Sequence, residues 1–156
     1  MNTTSNKIVV PVDFGDQAQI AFEQALHLAR VIKGDITLLY VIESSGLLGR
    51  FSGAIHDEEL KKEINTKMTE LLASVADKGD IKFDTVIAHG SVYEKVAEVA
   101  EMLNARFIVM GTNGGKGKIR RRFIGSNALR VVRESKVPVI TIKGKAHREG
   151  CKNIVL

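Results

Sequence analysis

The chain predicts an α/β domain built on an open, mostly parallel five-stranded sheet with helices on both faces. Three observations carry this expectation. Short apolar, β-branched runs recur along the chain, as strands buried on both faces require. Segments with apolar residues at helical spacing separate them. The two kinds alternate from one end to the other, as crossover connections between parallel strands demand.

Lys7 to Asp13 (KIVVPVD) reads as the first strand, broken by Phe14-Gly15-Asp16. From Asp16 to Ile32 the positions Ile20, Ala21, Leu28, Ala29 and Ile32 repeat helically, broadened by Phe22, Ala25 and Leu26. Gly34 should end that helix. Asp35 to Ile42 (DITLLYVI) is the second strand. Glu43 to Ile55 has three glycines and no period, so it reads as a long loop, a lid or a partner contact, with Leu47, Leu48 and Phe51 as inward candidates. Asp57 to Lys78 is a long charged helix with Leu60, Ile64, Met68, Leu71, Leu72 and Val75 on its inner face. Phe83 to His89 is the third strand. A helix follows with Ser91 as cap and Glu94 three residues on, a capping-box pattern. Val92, Val96, Val99, Ala100 and Leu103 form its stripe. Arg106 to Met110 is the fourth strand. Ser126 to Glu134 is the last helix, with Leu129, Val132 and Val131 inward, and Val137 to Lys143 the fifth strand. Pro138 has no N–H, which favours an edge position.

The 156 residues suffice for one domain with a full core, assigned to residues 1–144. Residues 145–156 read as a tail, or as the start of a second repeat, because Lys152 to Leu156 (KNIVL) echoes Lys7 to Pro11. No apolar run is long enough to span a bilayer, and the N-terminus lacks a signal-peptide pattern. The single cysteine, Cys151, leaves no intrachain disulfide or cysteine-based zinc site and fits a reducing cytoplasm. His27, His56, His89 and His147 are scattered, so a metal held by side chains alone is not expected. Residues 1–110 carry 11 basic and 16 acidic side chains, residues 111–156 carry 12 and 2. Positive charge therefore begins at one point, and an anionic partner is expected near it.

That point is Gly111 to Asn127, GTNGGKGKIRRRFIGSN. A strand ends at Met110, a glycine-rich loop follows, and a helix starts at Ser126. Free N–H groups and the positive end of the helix dipole make such a start a phosphate site. Gly111, Gly114 and Gly125 let the backbone approach a ligand, and Ser126 caps the helix or gives its hydroxyl to a phosphate oxygen. Neither GxGxxG nor GxxxxGK[ST] is present. In such sheets ligands sit beyond the carboxyl ends of the strands, where strand order reverses. Val12-Asp13-Phe14-Gly15, Val41-Ile42 and Met110-Gly111 all end there.

Gly111-x-x-Gly114, a spacer, then Gly125-Ser126 resembles the nucleotide loop of ATP-binding universal stress proteins. That family has nine residues in the spacer; this chain has ten, Gly115 to Ile124. The resemblance extends to Ile8-Val9-Val10-Pro11-Val12-Asp13, Leu38 to Ile42, Gly90, Ile108-Val109-Met110-Gly111-Thr112 and Val137-Pro138-Val139. It implies a Rossmann-like, flavodoxin-like fold and an adenine nucleotide, ATP or else ADP or AMP. Asp13 would meet the ribose or adenine end, with Pro11 and Val12 as its wall, and Val41 would meet adenine through its backbone. Gly111 and Gly114 would track ribose and α-phosphate. Gly125, Ser126 and Asn127 would hold the outer phosphates, with Mg²⁺ or Mn²⁺ riding on them. It also implies a homodimer through the last strand, Val139, Ile140, Thr141 and Ile142.

Simpler readings stand beside these. Asp13 serves equally as a helix cap, the glycines as turn residues, and the Lys116–Arg122 run as a solvated loop. His89 reads as structural rather than as a base, and with no general base near the outer phosphate fast hydrolysis is not expected. A nucleotide-free dimeric interaction module is the second reading. Nucleic-acid binding is a weaker third, since no aromatic residues interleave with the arginines and no known motif is present.

Overall fold

A computed structural model describes residues 5–43, 54–75, 77–112 and 125–143. Strands and helices alternate: β1 (Lys7–Pro11), α1 (Asp16–Ile32), β2 (Asp35–Ile42), α2 (Ala54–Ala73), β3 (Phe83–His89), α3 (Val92–Met102), β4 (Phe107–Gly111), α4 (Ser126–Glu134) and β5 (Val139–Ile142). The sheet runs β3-β2-β1-β4-β5. All its pairings are parallel, with Lys7 opposite Asp35, Ile8 opposite Phe107, Ile36 opposite Phe83 and Ile108 opposite Val139.

The period of two along each strand splits the core into two layers. Ile8, Val10, Ile36, Leu38 and Val109 point to one face and pack with Phe22, Ala25, Leu26, Ile64 and Met68 of α1 and α2. Val9, Leu39, Ile108 and Met110 point to the other and pack with Val96, Val99, Ala100, Ala128 and Val131 of α3 and α4. Burial on both faces is why these strands are apolar at consecutive positions rather than alternating.

Several boundaries differ from expectation for local reasons. β1 ends at Pro11, two residues before Asp13; Val12 still donates its N–H to Leu39 O at 2.8 Å. In α1 the deepest residues are Ala18, Ala21, Phe22, Ala25, Leu26 and Ala29, whereas Ile20, Leu28 and Ile32 are half-buried. Lys33, not Gly34, is the left-handed residue ending α1. Gly34 has another duty: a Cβ there would overlap the carbonyl oxygen of Asn6, which accepts the Asp35 N–H.

α2 spans Ala54–Ala73 rather than Asp57 to Lys78. Ser74 Oγ donates to Leu71 O at 2.6 Å, and Asp77 Oδ1 accepts the Gly79 N–H at 3.0 Å, so local side-chain bonds replace the helical pattern. Leu60 is exposed; Ile64 and Met68 anchor the helix. β4 is shifted one residue, to Phe107–Gly111. β5 lies at the sheet edge as expected but begins at Val139, because Ser135 and Val137 bond each other in a turn and Pro138 offers only its carbonyl, to Ile108 N–H. In α4, Val131 is buried as anticipated, but Leu129 and Val132 are 44% and 47% exposed, and Ala128 takes the inner position. Ala128 and Val131 form an i, i+3 pair that brings the helix close to the sheet, and this rotates the larger residues outward.

The expected inward packing of Leu47, Leu48 and Phe51 lies outside the described residues, as does the tail 145–156. Among the described residues no helix is long and apolar enough to cross a membrane.

Candidate functional site

Strand order reverses between β1 and β4, because β2 and β3 lie to one side of β1 while β4 and β5 lie to the other. Connections leaving β1 and β4 therefore diverge to opposite faces and open a crevice beyond their carboxyl ends. Pro11, Val12 and Asp13 stand at the carboxyl end of β1 and Met110 and Gly111 at that of β4, with Val12 and Met110 buried in the core. Val41 reaches the same edge of the sheet from β2, paired with Ala88.

Val12 is buried and Asp13 exposed. Asp13 does not cap α1: the cap is Gly15, without a side-chain bond. Instead Asp13 Oδ1 accepts the Gly15 N–H at 2.9 Å, which fixes the carboxylate just past the end of β1. Between them Phe14 has φ +60°, a left-handed backbone that costs a bulky residue about 1–3 kcal/mol. Its ring stacks on Tyr40 at 5.2 Å and 18°, with Lys67 Nζ 5.7 Å from the ring centre. This stack holds the strained turn closed.

On the β4 side, Gly111 packs against the first turn of α1. A Cβ on Gly111 would lie 2.9 Å from Gln17 Cβ and 3.0 Å from Gln17 O. Thr112 donates its N–H to Ile142 O at 3.0 Å and accepts the Gly125 N–H. The two ends of the glycine stretch are thereby tied together, and the start of α4 is drawn to the end of β4. Gly114 lies outside the described residues. α4 begins at Ser126, so the cap is Gly125 and not Ser126; among the described residues no side-chain cap bond forms there. Ser126 is exposed and Asn127 half-buried.

The two helix starts at the crevice differ in charge. α1 carries Asp16 in its first turn, near Asp13, whereas α4 has no acidic residue there. An anion is therefore favoured at α4 and disfavoured at α1. Ser91 is positioned as the cap of α3, but its hydroxyl makes no cap bond, so the capping box does not form. Glu94 instead accepts from Tyr93 Oη at 2.9 Å.

Three buried side-chain atoms among the described residues lack a hydrogen-bond partner: Gln17 Oε1, Thr112 Oγ1 and Thr37 Oγ1. Two of the three belong to the residues that flank Gly111. Buried polar atoms are nearly always paired, and these two belong to residues that meet where α1 packs on the end of β4. Sequence reasoning assigned no role to Gln17; Phe14 entered only in the break after the first strand and the segment expected at the crevice, and Thr112 only in the matched segment after β4.

His89 sits on β3, the far edge from the crevice. Its Nε2 lies 3.5 Å from Asp57 Oδ1. A hydrogen bond from Lys61 holds the Asp57 carboxyl below its usual range, helped by the charges of Lys61 and His89.

Fold and crevice together define a doubly wound α/β protein with an anion-favouring helix start at its switch point. The chain belongs to the universal stress protein family, whose model matches residues 4–143. It is 30% identical over 139 residues to universal stress protein MJ0531 of Methanocaldococcus jannaschii, covering 88% of this chain and 81% of the relative. The solved structure of MJ0577 from the same organism superposes with a TM-score of 0.70 at 26% identity, covering 92% of this chain and 99% of that one. A universal stress protein of Archaeoglobus fulgidus, solved in complex with dAMP, has a TM-score of 0.64 at 20% identity, covering 90% and 100%.

Proposed function

We propose that the chain binds an adenine nucleotide, ATP foremost, in the crevice between β1 and β4, and works as a stress-response module whose state follows occupancy. The observation that carries this reading is the acid-free α4 start, without a side-chain cap, held by the Thr112–Gly125 bond at the end of β4 where strand order reverses. The nucleoside lies toward Pro11, Val12, Asp13 and Val41. The phosphates lie toward Gly111, Gly114, Gly125, Ser126 and Asn127. A divalent ion, Mg²⁺ or Mn²⁺, rides on the phosphates rather than on a side-chain cluster. Turnover is slow at most, since the one described histidine near a carboxylate, His89, belongs to the opposite edge.

The same proposal places the protein in the cytoplasm and pairs two copies along β5. Val139, Ile140, Thr141 and Ile142 are only half-buried on an edge strand, and among the described residues no further strand pairs with its outer side. The ten-residue spacer favours the other reading, a dimer without nucleotide.

Native mass spectrometry of protein purified without added nucleotide separates them. The expected species is a dimer of the 17.1 kDa chain carrying one adenine nucleotide per subunit, or taking it up on addition of ATP with Mg²⁺. A dimer that stays bare at millimolar ATP supports the second reading instead.

A further inference from the structure

We propose that Phe14, Tyr40 and Lys67 form a clamp that positions Asp13 for the nucleotide. The three side chains hold the turn after β1 in one conformation, and affinity for the nucleoside depends on them because they act through Asp13. This rests on the nucleotide reading above and adds positioning residues to it.

Phe14 stands between Asp13 and Gly15 with φ +60°, a left-handed backbone that glycine or asparagine adopts readily and a bulky residue does not. In that conformation Asp13 Oδ1 accepts the Gly15 N–H at 2.9 Å, while the residue itself stays exposed. A strained residue persists only where its surroundings over-determine it. Here the surroundings are side chains from two other elements. The Phe14 ring lies 5.2 Å from that of Tyr40, nearly parallel at 18°, and Lys67 Nζ is 5.7 Å from its centre. Both supports are themselves held. Tyr40 lies on β2, in register with Ile87 of β3. Lys67 stands in α2 beside Met68, a buried anchor of that helix, and pairs with Glu63 at 2.8 Å. The turn is therefore tied to β2 and α2 and not only to the strand it follows. The attraction of an aromatic stack and the strain of such a turn are of the same order. Without the ring contact the turn relaxes toward an unstrained φ, and the Asp13 carboxylate leaves its place. A carboxylate accepts and does not donate, so what is lost is contact with the O–H and N–H donors of the nucleoside.

The test is calorimetric titration with ATP and Mg²⁺ of wild type, Tyr40→Leu, Tyr40→Phe, Phe14→Gly and Asp13→Ala, and of the double variant Tyr40→Leu with Asp13→Ala. Tyr40→Leu should weaken ATP about three- to tenfold, the equilibrium equivalent of one aromatic pair. Tyr40→Phe keeps the stack and should bind as wild type does. Phe14→Gly adopts the left-handed turn without strain and so folds, yet it loses the ring contact and should also weaken ATP. Asp13→Ala should weaken ATP, and adding Tyr40→Leu to it should change nothing further, since both remove the same contact. A merely structural role would lower the melting temperature of Tyr40→Leu and leave the affinity of the folded protein unmoved. That outcome overturns the clamp, as do losses that multiply in the double variant, or an Asp13→Ala protein with wild-type affinity; each leaves nucleotide binding intact. Wild type that binds no ATP overturns both.

Discussion

Gly111→Val is expected to abolish nucleotide binding and to destabilise the fold by about 2–4 kcal/mol. The position has no room for a side chain. A Cβ would stand 2.9 Å from Gln17 Cβ, 3.0 Å from Gln17 O and 3.1 Å from Gln17 C. Two of these are backbone atoms of α1, which cannot rotate away. Valine adds two methyl groups beyond that, so α1 and the end of β4 must part. That separation displaces Gln17, Thr112 and, through the Thr112–Gly125 hydrogen bond, the start of α4. Stability and binding therefore fall together, as denaturant unfolding and titration with ATP would show. A variant within about 0.5 kcal/mol of wild type would mean that the contact between Gly111 and Gln17 is not a constraint in solution.

Gly34→Ala should cost about 3 kcal/mol or more, unusually large for adding one methyl group. The new carbon would overlap the Asn6 carbonyl oxygen. That oxygen accepts the Asp35 N–H at 3.2 Å, immediately before β1 and β2 pair at Lys7 and Asp35. The clash is backbone against backbone at the point that sets strand register, so it cannot be relieved by a rotamer change. Urea unfolding should show a lower midpoint with an unchanged slope. Because Gly34 lies at the amino end of β2, away from the crevice, protein that remains folded should bind nucleotide as wild type does. An unchanged midpoint would remove the steric account.

Fold class and element order were legible because two-sided burial writes continuous apolar runs into β1, β2 and β4, and because helices announce their period. Phe83–His89 and Ser126–Glu134 match expectation residue for residue. Element ends were less legible, since they turn on single bonds. Ser74 Oγ to Leu71 O closes α2 early, and Lys33 rather than Gly34 takes the left-handed position. In α4, period alone did not distinguish the Leu129/Val132 side from the Ala128/Val131 side. Depth beside the sheet admits the smaller pair.

The crevice was legible as a location: Asp13 and Gly111 lie at the two strand ends where order reverses. Its details were not. Gly111 looked like a ligand-approach glycine, and the structure shows it also needed for contact with α1. Gln17 and Thr112 are ordinary residues in the chain. They become conspicuous only when burial leaves their oxygens without partners, a property of three dimensions that no spacing encodes. Gly114 and the extra spacer residue lie beyond the described residues, so their contribution rests on the resemblance alone.

Thermal unfolding with and without 1 mM ATP and Mg²⁺ tests the central claim most directly, because any ligand that binds only the folded state must stabilise it. A site with Kd of about 10 µM gives ~2.7 kcal/mol at that concentration, which is a rise in Tm of roughly 5–10 °C for a chain of this size. That rise, absent with GTP and absent in Gly111→Val, is the predicted result. A Tm that ATP leaves unmoved would contradict nucleotide binding at the crevice and leave the dimeric interaction module as the reading of this fold.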